Sequence, residues 1–178
     1  MSTNNTFQQE HIILGIDPGT RFTGYGLIKC ANINQFIPVN WGVIKTQHLD
    51  NLYDRYLYIF EQIQNIIDQY HPQTLSIETQ FLNKNIQSTM KLGIARGIAI
   101  VAAKQKGLSI FEYAPNKAKS SVVGTGRASK QQVQYMVQRL LSLKKIISSE
   151  DASDALSLAI CHALNQPKRM YAQLNKEK

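Results

Sequence analysis

Between Lys45 and Leu49 the apolar residues of this chain change their spacing, and that change limits the folds open to it. Before it come three runs rich in β-branched and aromatic residues: His11 to Ile16, Phe22 to Cys30 and Gln35 to Lys45. Turn-forming residues separate them, with Pro18 and Gly19 in one gap and Asn32 to Asn34 in the other, a pattern that predicts an antiparallel meander of strands. After the change, apolar residues from Leu49 through Tyr53, Tyr56, Ile59, Ile63 and Ile67 to Tyr70 recur at steps of three and four until Pro72. That is the period of an amphipathic helix.

The pattern then alternates. A short strand is expected over Thr74 to Ile77, a helix around Lys84 to Gln105 whose Gly93 and Gly97 permit close packing, and a strand over Leu108 to Tyr113. Gly124 to Ser129 reads as a loop, and Ser129 with Gln132 forms a capping box ahead of Val133, Met136 and Val137. Ser148 or Ser149 caps a last helix that ends before Pro167. The order is three strands, helix, strand, helix, strand, helix, helix. It predicts an α/β fold, a mixed five-stranded sheet flanked by helices on both faces. Residues 11–166 form one expected domain, with a polar flexible leader at 1–10 and a basic, frayed tail at 167–178. No internal repeat or interdomain linker is visible.

Composition narrows the partners. Of 178 residues, 43% are hydrophobic and 18% charged, enough apolar material for a single core. The net charge is +8, and its distribution says more than its size. From Thr79 to Ser149 there is one acidic residue, Glu112, against twelve basic ones. Ordinary surfaces intersperse the two signs, so one face is expected to be positive and suited to nucleic acid. Cys30 and Cys161 are too few and too far apart for a zinc site or a disulfide framework and read as reduced structural residues. The leader resembles no signal peptide, and no apolar run approaches the roughly 18 to 20 residues that a membrane span needs. A cytoplasmic protein is expected, with no membrane partner.

Against this basic background four carboxylates stand out. Asp17 closes the apolar run IILGI and Glu78 closes LSI, so each stands at a strand end within otherwise buried sequence. Burying a carboxylate there is costly unless a cation or partner compensates. Asp151 and Asp154 lie three apart in the first turn of the last helix and project from one face of it. Taken alone, that pair would only be favouring the helix dipole; with Asp17 and Glu78 the four can converge. Phosphodiester hydrolysis needs an activated water and a stabilised leaving oxygen, both of which two Mg²⁺ ions about 4 Å apart supply. Carboxylates suit that hard cation, with Mn²⁺ a workable substitute, whereas His11, His48, His71 and His162 show no metal-ligand spacing.

The segments GIDPGTRFTGYGLI, SIETQFLNKNIQSTMKLGIARGIAIVAA, FEYAPNKAKSSVVGTGRASKQQVQYMV and DASDALSLAICHA resemble the successive motifs of the RuvC family over His11 to His162. The resemblance implies a ribonuclease-H-like fold and a homodimer. It also implies a Mg²⁺-dependent endonuclease that resolves Holliday junctions by paired symmetric nicks in recombination and repair, working with RuvA and RuvB. By motif position, Asp17, Glu78, Asp151 and Asp154 take the family's catalytic and metal-binding places. Lys119 and Lys130 match its lysines near the scissile phosphate, and Phe81 matches the aromatic that stacks on junction bases. The chain departs from the family pattern at Ile94, in a position where glutamine is usual, and at Thr125 and Arg127 in the loop before the Ser129 cap. Arg127 there offers a further phosphate contact.

Two rival readings remain at this level. The Asp17-Pro18-Gly19-Thr20 segment resembles the first phosphate loop of nucleotide-binding proteins of the actin and sugar-kinase type, but nothing after Glu78 supplies a second loop or a Walker A arrangement. A ribonuclease-H-like module that binds nucleotide or junctions without cutting is the other. A dimer follows independently from the chemistry, because one set of acids serves one incision and resolution needs two related by two-fold symmetry. The helix around Met90 to Val101 is the expected interface, since Gly93, Ala95 and Gly97 allow close approach and its apolar residues exceed what one buried face needs.

Overall fold

Alternation along the first strand decides which layer lies on which side of the sheet. The computed structural model describes residues 11–32, 35–79, 85–144 and 147–166. Strand β1 (His11–Asp17) sends Ile13 into one apolar cluster and Leu14 and Ile16 into another. It pairs antiparallel with β2 (Phe22–Asn32), which pairs antiparallel with β3 (Gln35–Lys45). On its other side β1 runs parallel to β4 (Thr74–Glu78), and β4 parallel to β5 (Ser109–Tyr113). The sheet order is β3-β2-β1-β4-β5, five strands with mixed direction.

Helices α1 (Leu52–Tyr70) and α2 (Ile86–Gln105) cover one face. On α1 the buried residues are Tyr56, Ile59, Ile63 and Ile67, the middle of the three-and-four pattern; each fully buried isoleucine contributes roughly 1.5–3 kcal/mol. The pattern overshoots at the start. Asn51 caps the helix by accepting from the Tyr53 N–H, so Leu49 lies outside it, and Tyr53 is 77% exposed. The helix ends where Pro72 forbids another turn, with His71 in the left-handed region at φ 49 and its N–H on the Ile67 carbonyl.

The other face carries α3 (Pro115–Val123), α4 (Lys130–Leu140) and α5 (Glu150–Asn165). The expected order had no α3. Its signals are present, Pro115 in the first turn and Gly124 at φ 82 after the last. Only Ala118 and Val122 are buried, however, and a stripe two residues wide is too narrow to register as a period. The Ser129–Gln132 capping box forms as expected. Ser149, rather than Ser148, caps α5 and accepts from Ala152. Helix α5 is buried almost all round, from Ala155 to Ala163, because it lies between the sheet and the α3–α4 pair. Both cysteines are free and buried. Among the described residues no helix is long and apolar enough to cross a membrane.

Candidate active site

Strand parity brings the four acids to one place. Gly15 faces α5 so closely that a Cβ built there would lie 1.9 Å from the Ala155 carbonyl oxygen. Asp17, two residues on, shares that face. The register sets Asp17 against Gly24 of β2, where an added Cβ would lie 2.0 Å from the Asp151 carbonyl oxygen. The first turn of α5 thus rests directly on the strand position beside Asp17. On β4, Leu75 and Ile77 point into the α1–α2 layer while the Ser76 hydroxyl donates to the Leu158 carbonyl of α5 at 2.7 Å. Glu78 therefore faces α5 as well, next to Asp17 because Ile16 pairs with Ile77. Helix α5 crosses the sheet from β2 through β1 to β4, and its N-terminal turn holds Asp151 and Asp154 over the C-terminal ends of the two parallel strands.

The electrostatics follow. Burial pushes the Asp17 carboxyl up to about 8, and Asp154, Glu78 and Asp151 add to the shift. Burial also raises Glu78, with Asp154 adding to the shift and Lys119 opposing it. Asp154 is raised chiefly by burial too, opposed by Lys130 and Lys119. The two lysines come from α3 and from the first turn of α4. Lys130 Nζ also pairs with Glu150 at 2.8 Å, the principal cause of its raised pKa. Asp17, Glu78, Asp151, Asp154, Lys119 and Lys130 are thus assembled from five elements. Arg127 lies exposed in the turn between α3 and α4. Phe81 lies outside the described residues.

A shallow cleft at this point is lined by Asp17, Pro18, Glu78, Thr79, Leu92 and Arg96. Thr79 Oγ1 is buried in it with no hydrogen-bond partner among the described residues. Among the described residues no group of three or more His, Cys, Asp or Glu side chains is placed to hold a metal ion. The donor set is nonetheless one of oxygens only, with more negative charge than its two lysines neutralise, which fits a hard divalent cation. Arg96 was not picked out from the sequence. Its Nε donates to the Glu78 carbonyl at 2.9 Å and its guanidinium pairs with Glu112, so it fixes the end of β4. Its position one α-helical repeat after Leu92 carries no sequence signal for that role.

A family model described as crossover junction endodeoxyribonuclease RuvC matches residues 13–162. A protein of that description from Protochlamydia amoebophila is 55% identical over 152 residues, covering 85% of this chain and 90% of that one. One from Citrifermentans bemidjiense is 52% identical over 152 residues, covering 85% and 92%. Among solved structures, Thermus thermophilus RuvC in complex with a Holliday junction substrate matches with a TM-score of 0.81 at 27% identity, covering 93% of this chain and 96% of that chain. The yeast mitochondrial Holliday junction resolvase matches with a TM-score of 0.63 at 15% identity over 93% and 83%, a likeness of fold.

Proposed function

This chain belongs to the RuvC family of crossover junction endodeoxyribonucleases, and we propose that Asp17, Glu78, Asp151 and Asp154 are its catalytic and metal-binding acids. It is a structure-selective endonuclease that resolves Holliday junctions by metal-dependent phosphodiester hydrolysis in recombination and repair. The observation that carries the site assignment is the convergence of two strand ends and one helix N-terminus, where burial and then repulsion from the other three carboxylates push Asp17 up to about 8. We assign Mg²⁺, two ions per site with Mn²⁺ as a substitute; when bound they activate water at neutral pH and stabilise the leaving oxygen.

The chain's own groups do the rest. Burial and the neighbouring acids favour the protonated form of Asp17, and cations held by Asp17, Glu78, Asp151 and Asp154 would favour its carboxylate. Lys119 and Lys130, beside the acids, receive the oxygens of the scissile phosphate, and Arg127 takes a neighbouring one. Phe81, three residues past Glu78, stacks on a base at the crossover, a contact worth about 1–3 kcal/mol. Arg96 keeps Glu78 in place through its backbone. Residues 11–166 act as one nuclease domain, and its chromosomal substrate puts its work in the cytoplasm.

The active species is a homodimer, each protomer making one of two symmetric cuts. Support comes from the outer side of α1 and α2, where Leu57 is 57%, Ile94 48% and Val101 58% exposed around an apolar groove. Family membership supports a partnership with RuvA and RuvB. To test the acids, Asp151→Asn and Asp154→Asn are assayed separately on a four-way junction in Mg²⁺. Each is expected to bind the junction and fail to nick it; nicking at the wild-type rate by either removes that residue from the set.

A further inference from the structure

We infer that the outward face of α4, through Arg139 and Tyr135, is a second DNA contact that grips a duplex arm of the junction away from the scissile phosphate. The inference rests on the nuclease reading above and extends its DNA path beyond Lys119, Lys130 and Arg127.

Helix α4 buries Val133 and Val137 and turns Gln131, Tyr135 and Arg139 to solvent. Tyr135 is 58% exposed, and the Arg139 guanidinium carbon lies 5.9 Å from its ring centroid. No described carboxylate pairs with Arg139: the described ion pairs take Arg96, Lys106 and Lys130. An exposed arginine braced on an exposed aromatic ring keeps its planar fork free for phosphate oxygens. Core packing explains neither side chain.

Charge selects DNA as the occupant. From Pro115 to Lys144, which spans α3 and α4, the chain has six basic residues and no acid. Helix α1, on the opposite face of the sheet, carries Asp54, Glu61 and Asp68 against Arg55 alone. Helix α2 beside it carries Lys91, Arg96 and Lys104, but among the described residues it is α3 and α4 whose lysines, Lys119 and Lys130, act on the catalytic acids. Distance fixes what is touched. Lys130 stands at the acids and Arg139 nine residues further along the same helix, about 14 Å at 1.5 Å per residue. At roughly 3.4 Å per phosphate along a strand, that is about four nucleotides from the cut. A duplex leaving the active site along α4 meets Arg139 at that point, with the Tyr135 ring against its sugar edge.

The test measures junction affinity without divalent ions at several salt concentrations, together with hydroxyl-radical footprints, for wild type and Arg139→Gln. Losing one phosphate contact makes log affinity less steep in log salt by about 0.9, so the wild-type advantage shrinks about 3.5-fold between 50 and 200 mM salt. Protection about four nucleotides from the cut should be lost from the footprint while protection at the crossover stays. Arg139→Lys should keep the slope, and Tyr135→Phe should keep affinity that Tyr135→Ala loses, which separates a contact from a folding defect. A wild-type slope and footprint in Arg139→Gln overturns the inference while wild-type cutting leaves the nuclease reading standing. A wild type that neither binds nor nicks junctions overturns both.

Discussion

Gly24 is the residue on which the site's assembly turns, so Gly24→Ala should damage activity out of proportion to its size. A Cβ at this position would lie 2.0 Å from the Asp151 carbonyl oxygen and 2.4 Å from its carbonyl carbon, where ordinary contact needs 3.4 Å or more. Both are backbone atoms, so no side chain can swing aside, and the first turn of α5 must lift from β2 by more than about 1 Å. Forcing an extra carbon into a packed interface costs typically 1–3 kcal/mol, which for a domain of this length lowers Tm by roughly 2 to 12 °C. The turn that lifts carries Asp151 and Asp154, while Asp17 stays on β1. A misplacement of about 1 Å can cost about 100-fold in rate. The assay is single-turnover nicking of a four-way junction in Mg²⁺, at a temperature where circular dichroism shows the variant folded. A variant that keeps both the wild-type rate and the wild-type Tm would refute the claim that α5 is held against β2 at Gly24.

Two further outcomes follow from the acids and from the apolar face. Asp17 has its folded pKa raised from 3.8 to about 8, so its contribution to stability is fully present below about pH 4 and is lost as pH rises through 8. Metal-free protein should therefore lose Tm between pH 5 and 8 more steeply than Asp17→Asn does, with Mg²⁺ restoring the wild type at pH 8; equal slopes for the two proteins would contradict the cause assigned to the shift. Ile94→Asp places a charge in the apolar groove between α1 and α2 and should convert a dimer into a monomer by light scattering, whereas a dimeric variant or a monomeric wild type would remove that face as the interface.

The sheet was legible because its signals are local and strong. β1 and β4 are apolar runs ended by single acids, and the meander is punctuated by Pro18, Gly19 and the Asn32 to Asn34 segment. The long helix α1 was legible from its middle and not from its start, where Asn51 rather than the apolar pattern sets the boundary. Helix α3 escaped because its buried stripe is Ala118 and Val122 alone. The acids could be picked out one by one from their strand-end and first-turn positions. Their convergence depends on α5 crossing β2, β1 and β4 in contact with Gly15 and Gly24, a tertiary fact that single-residue spacing does not contain. Arg96 was invisible for the same reason, since its hydrogen bond to the Glu78 backbone joins residues 18 apart. Tyr135 and Arg139 sat within a helix whose capping box and apolar period were evident, but only the fold shows that they lie on its exposed side, with α4 across the sheet from the acidic α1.

The central claim is that four carboxylates on a basic surface cut four-way junctions with divalent metal. One gel tests it: a synthetic mobile four-way junction and linear duplex of the same sequence, each incubated with the protein with and without Mg²⁺. Paired nicks at symmetric positions on the junction, in Mg²⁺ only and with the duplex intact, are the predicted result. An uncut junction in Mg²⁺, or duplex nicked as readily as junction, would contradict the account.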